Sequence, residues 1–135
     1  MTRRQIREAI FKLLFSGEFH EDCDVKEQAK ILLEEEGVLE KASEEDKEYI
    51  FSKYEDIRAH LDEIDETLNE KVDKWKTTRM PKVDLAILRL AVYEIKFEED
   101  IPDGVSINEA VELAKLYGSD KSSSFVNGAL SKVIS

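Results

Sequence analysis

The stretch Val83 to Phe97, VDLAILRLAVYEIKF, constrains the fold more than any other part of the chain. Wound as a helix it is apolar nearly all round, and Arg89 is the only charge between Asp84 and Glu94. Such a helix has no face to give to water, so other helices must surround it. It falls short of the roughly 20 apolar residues of a membrane span, which leaves the centre of a core as its place. Pro81 suits the first helical position, where a missing N–H costs nothing. Arg89 then needs a carboxylate, because an unpaired buried guanidinium is expensive. Glu94, Glu109 and Glu112 are the candidates for a structural ion pair.

The remaining segments supply the wrapping. Thr2 with Gln5 is a capping-box pair, so a helix starts at once and offers Ile6, Ala9, Ile10, Leu13, Leu14 and Phe19 to a core. A second helix, about Val25 to Glu36, uses Ala29, Leu32 and Leu33 and stops at Gly37. Ser43 caps a third, and Ile50, Tyr54, Ile57, Leu61, Ile64, Leu68, Val72 and Trp75 keep a three-four spacing through it. Periodicity alone makes this one long helix, although Asp62 with Asp65 can serve as a weak internal N-cap. Thr77 to Met80 connects to the central helix, and Ile101 to Gly104 reads as a turn beyond it. Ser106 with Glu109 is another capping box, opening a helix with Ile107, Ala110, Val111, Ala114 and Tyr117 on one stripe and Gly118 as a left-handed C-cap. Ser119 and Asp120 can cap a last helix, whose stripe is Phe125, Val126, Ala129, Leu130, Val133 and Ile134. No alternating strand pattern interrupts this, so the fold class is all-α.

At 135 residues the chain is one domain, large enough to bury about two-thirds of its unfolded surface. A lone Cys23 cannot form an internal disulfide. The MTRR start resembles that of a signal peptide, but Arg7, Glu8 and Lys12 break the apolar run one would need, and a cytoplasmic protein is expected. The net charge of −11 is segregated. Residues 1–17 carry four basic and one acidic side chain, net +3; residues 18–75 carry 8 and 21, net −13; residues 76–135 carry 8 and 9, net −1. So acidic a middle attracts basic proteins and repels nucleic acid, while the first turns do the opposite.

No enzyme constellation is legible: there is no phosphate-cradling glycine loop and no Cys and His pair with an orienting group, and no cofactor is implied. His20 and Cys23 are metal-binding types, but a lone H-x-x-C without a second ligand pair is not a zinc site. His60 fits a structural or surface position rather than a catalytic one. Arg3, Arg4 and Arg7 are better evidence, because they sit at the helix end that the macrodipole makes unfavourable to cations. Solvated arginines answering acidic neighbours are one reading. An anion site is the other, where exposed amides and guanidinium groups together favour phosphate. Lys121 and the ring of Phe125 add a cation and a stacking surface that suit single-stranded RNA, and Asn127 and Gly128 are further candidate contacts. Each has a plainer alternative: Lys121 as a surface lysine, Phe125 as core, Asn127 as a helix hydrogen bond and Gly128 as a close helix crossing.

The segments INEAVELAKLYGSDKSSSFVNG and VDLAILRLAVYE, the latter followed by IP, resemble the signature of the NusB family of bacterial transcription antitermination factors, and the similarity extends over the whole chain. The resemblance implies about seven helices in two packed sub-bundles, with the long third helix broken near His60. It implies binding of the boxA element of nascent RNA as a heterodimer with NusE, a basic ribosomal protein, within the transcription elongation complex, notably on ribosomal RNA operons. A protein-interaction module without its own RNA role is the alternative. By the same resemblance RNA contact falls to Arg3, Arg4, Arg7, Lys121, Phe125 and Asn127, and partner contact to Phe15 and Asp84. Phe15 stands where the family often has tyrosine and Asp84 where it often has glutamate; the first change removes a hydroxyl. The basic run is interrupted by Gln5 and Ile6 and is shorter than in some members.

Overall fold

The computed structural model describes residues 1–18, 27, 31, 34, 37, 40, 42–72 and 75–135. Among them are six α-helices, one short 3-10 turn and no strand: α1 (Arg3–Gly17), α2 (Glu44–Ala59), α3 (Leu61–Lys71), α4 (Lys82–Phe97), α5 (Asp103–Tyr117) and α6 (Ser122–Ile134). The chain divides into two compact units, Met1–Asp56 and Ile57–Ser135. The expected helix at Val25 to Glu36, together with Phe19, His20 and Cys23, lies outside the described residues. Gly37 is described, and its φ of +69° is the left-handed turn expected at that stop.

In the first unit both helix starts are built as their sequences dictate. The Thr2 hydroxyl accepts the Gln5 N–H at 3.1 Å while the Gln5 side chain accepts the Thr2 N–H at 2.8 Å. Ser43 Oγ likewise accepts the Asp46 N–H at 3.1 Å. The two starts are tied together by the Met1 ammonium, which donates to Asp46 Oδ2 at 3.1 Å and holds that carboxyl below its usual range. Ala9, Ile10, Phe11, Leu13 and Leu14 of α1 are buried, as are Ile50 and Tyr54 of α2. Phe11 joins the expected stripe because the apolar face of α1 is wider than a single row.

The second unit is organised around α4, against which α3, α5 and α6 all pack. Leu85, Ala86, Ile87, Leu88, Leu90, Ala91, Val92 and Tyr93 are buried on successive faces, as an all-round apolar helix requires. Each fully buried Leu or Ile among them contributes about 1.5–3 kcal/mol. The corner at His60 separates α2 from α3 where the family resemblance placed it. The His60 ring lies 4.5 Å from that of Phe97, centroid to centroid. Ile57, Ile64, Leu68 and Val72 continue the buried row, but Trp75 lies past the end of α3 and remains 47% exposed.

Several local readings are corrected. Arg89 pairs with none of the expected glutamates; its Nε and Nη2 donate to the two Asp65 oxygens at 2.9 and 2.7 Å. Asp65 is therefore the buttress of α4 rather than a cap. Glu94 is buried and accepts the Ser106 hydroxyl at 3.2 Å. Ser106 is free to do this because α5 begins four residues earlier than its S-x-x-E pattern implies, with Pro102 rather than Ser106 as N-cap. Pro81 is likewise the N-cap of α4 rather than its first residue. Gly118 is extended, with φ −91° and ψ −172°, so left-handed freedom does not explain it. Space does: a Cβ there would collide with the Ser122 side chain and lie 2.8 Å from the Ala114 carbonyl oxygen.

Candidate nucleic-acid interface

Within the first unit, Arg3 and Arg4 are exposed in the first turn of α1, and Arg7 is half-buried one turn on. No acidic side chain occupies that turn. The capping box uses the Thr2 and Gln5 side chains on the backbone, so the guanidinium groups are not needed to finish the helix start. What remains is a positive helix end carrying positive side chains, a combination that favours an anion. Phe15 lies two turns beyond Arg7, half-buried and stacked on Phe11 at 6.3 Å between centroids.

Within the second unit, α6 presents Lys121 at its N-cap, exposed, then Phe125 one turn on, half-buried, and Asn127, exposed. The intermediate burial of Phe125 is compatible with both of the roles weighed for it. Gly128 is exposed, and nothing lies within 4 Å of where its Cβ would be. This removes the reading of Gly128 as a close helix crossing.

Asp84 is placed differently from expectation. It is 4% exposed, so it is no part of an open acidic surface. It occupies the first turn of α4, where a carboxylate is favoured by the helix dipole, and it hydrogen-bonds the Ser122 hydroxyl at the start of α6. Ser122 Oγ also accepts the Ser119 N–H at 2.9 Å. The starts of two helices are thus joined through one hydroxyl, and Gly118 is the residue that lets Ser122 approach. Burial pushes the Asp84 carboxyl above its usual range, with the Ser122 hydroxyl working weakly against it. Its Oδ1 is buried without a hydrogen-bond partner among the described residues. Sequence reasoning missed Ser122; the small residues at Gly118, Ser119 and Ser122 were the available signal.

Residues 4–135 match the model of the NusB family. The chain is 55% identical over 132 residues to the transcription antitermination protein NusB of Agathobacter rectalis, covering 98% of each. It is 48% identical over 134 residues to the protein of the same name from Lachnoclostridium phytofermentans, covering 99% of each. Among solved structures it is similar to T. maritima NusB, with a TM-score of 0.85 and 39% identity over 98% of this chain and 90% of that one. It is also similar to a chain in a crystal structure of the antitermination factors NusB and NusE in complex with double-stranded RNA, with a TM-score of 0.82 and 26% identity over 97% of this chain and 94% of that one. On a family match that leaves out only the first three residues, and on relatives of equal length at this identity, the chain belongs to the NusB family.

Proposed function

We propose that the chain is a cytoplasmic transcription antitermination factor that binds boxA of nascent RNA together with the basic ribosomal protein NusE, in support of ribosomal RNA operon transcription. The name shared by its relatives supports antitermination, and a structural neighbour of similar fold is described as bound to NusE and RNA. The observation that carries the RNA role is the placement of Arg3, Arg4 and Arg7 at an already capped helix start in a chain of net charge −11. Lys121, Phe125 and Asn127 supply a further cation, an aromatic ring and an amide at the start and along one helix. No helix among the described residues is long and apolar enough to cross a membrane.

The acidic middle of the chain opposes RNA, and at physiological salt the Debye length of about 8 Å leaves nearby carboxylates unscreened. A basic partner removes that opposition and adds phosphate contacts of its own. Phe15 offers the partner an aromatic edge, and the α4 start offers a helix end whose geometry Asp84 maintains. The test is a titration of boxA RNA at fixed salt, with and without NusE, for the native chain and an Arg3→Ala, Arg4→Ala, Arg7→Ala variant. The native chain should bind more tightly with the partner, and the variant should bind more weakly. Its slope of log affinity against log salt, from a salt series, should be flatter by about 0.7 for each phosphate no longer neutralised. Unchanged affinity and slope in the folded variant, with NusE still bound, would instead support an interaction module without its own RNA role.

A further inference from the structure

The segment between α3 and α4 concentrates charge of the sign the chain as a whole lacks. Residues 71–82, KVDKWKTTRMPK, hold five basic side chains and one acidic, within a chain of net charge −11. From Trp75 to Val83 there is no acidic residue at all. Lys71, Lys76, Arg79 and Lys82 are exposed. Among them stands the only tryptophan of the chain, 47% exposed.

The described residues of this segment are anchored. Val72, Thr77 and Met80 are its anchors, 5%, 6% and 3% exposed. Asn69, in the last turns of α3, reaches forward to it twice: its Oδ1 accepts the Thr77 N–H at 2.8 Å, and its carbonyl oxygen accepts Lys76 Nζ at 3.2 Å. A 3-10 turn at Thr77–Arg79 follows, and Pro81 then caps α4. The anchoring side chains are a valine, a threonine and a methionine, while the largest apolar side chain of the segment is left outside. A fold seeking only burial would have tucked the indole in and turned the threonine out. An exposed aromatic face with lysine and arginine nearby in the chain is the surface on which a base stacks while cations hold the phosphates on either side.

We propose that Trp75, Lys76 and Arg79, with Lys71 and Lys82 at the margins, form a second single-stranded RNA contact, reading no sequence and gripping nucleotides that flank the specific element. The inference rests on the RNA-binding reading of the chain but adds a surface to it. Single-stranded RNA is favoured over an acidic protein segment because the exposed face is a large planar indole, on which a base stacks, and the exposed cations come from the end of α3, the 3-10 turn and the start of α4 in turn.

The test uses the full chain without any partner, at low ionic strength, and a labelled single strand of uridines carrying no boxA. Binding is followed both by anisotropy of the label and by emission of the sole tryptophan. The expected result is quenching of Trp75 that tracks anisotropy, with affinity about tenfold weaker in Trp75→Ala. In Lys76→Ala, Arg79→Ala the slope of log affinity against log salt should flatten by about 0.7 for each phosphate released from its cation. All the substituted side chains are exposed, so the variants should stay folded, with no more than the small loss of the exposed Lys76–Asn69 hydrogen bond in thermal melts. RNA that binds without changing the indole emission, or with equal affinity for Trp75→Ala, overturns the proposal, as does quenching by a polyglutamate peptide and not by the RNA. Because the probe lacks boxA and NusE, these failures leave the boxA reading standing, and loss of partner-assisted boxA binding leaves this one standing.

Discussion

Gly128 lies in the middle of α6 with open space above its Cα. Glycine in a helix interior is about 0.8–1.0 kcal/mol worse than alanine, and no neighbour requires it here. Gly128→Ala should raise the stability of the free protein by about 0.5–1 kcal/mol in denaturant melts. The same variant should bind RNA more weakly, since the proposed interface brings a ligand to that face; equal affinity would take Gly128 off it. Asp84 makes the opposite case, a charged group kept where it costs stability. An acid whose folded pKa is raised by burial stabilises the fold most below its unfolded value near 3.8, and that contribution is lost as pH rises through the folded value. Asp84→Asn should therefore gain on the native chain as pH climbs from about 4 toward neutrality. A pH series of melts that shows a constant difference would contradict the burial argument. Neither residue could be judged from its neighbours in sequence. The third residue of a helix is ordinarily solvated, and Asp84 is buried only because the start of α6 lands on it.

The ion pair between α3 and α4 shows what helix patterns do and do not reveal. Burial and the nearby Asp62 push the Asp65 carboxyl up, to about 6, and burial lowers the Arg89 guanidinium. Two short hydrogen bonds between the charged forms act against both tendencies, and the pair is ionised at neutral pH. Removing one partner strands the other. Arg89→Met should cost about 3 kcal/mol, while Asp65→Leu with Arg89→Met should recover most of it, as measured in a double-mutant cycle. A double variant no more stable than the worse single one would contradict this. The need for a partner was legible from Arg89 alone, but its identity was not, because Asp65 lies 24 residues upstream and is brought close only by helix packing. Helix starts behaved similarly. Thr2 with Gln5 and Ser43 were read correctly because their hydrogen bonds are local. Ser106 with Glu109 carried the same pattern and misled, because Pro102 ends the preceding turn first and the serine was needed by Glu94.

At the scale of the molecule, the all-helical class, the central helix and the corner at His60 followed from hydrophobic period and from resemblance. Coarse charge counts hid as much as they showed: a division after Trp75 split the basic segment 71–82 between an acidic block and a nearly neutral one. The arginines of α1 stood out because they lie at the wrong end of a dipole, a local rule. Periodicity carried past the end of α3 places Trp75 on the buried row, whereas the indole is exposed because the helix stops at Lys71. The centrality of α4 also bears on how the protein opens. Its amides are covered by helices on three sides, so fraying cannot release them and only loss of the second unit's core can. In native-state hydrogen exchange the amides from Ala86 to Tyr93 should be the slowest of that unit, exchanging with the free energy of its global unfolding. Those of the last turn of α6 should exchange far sooner, leaving the end of α6 mobile on timescales at which α4 is still a clamped rod.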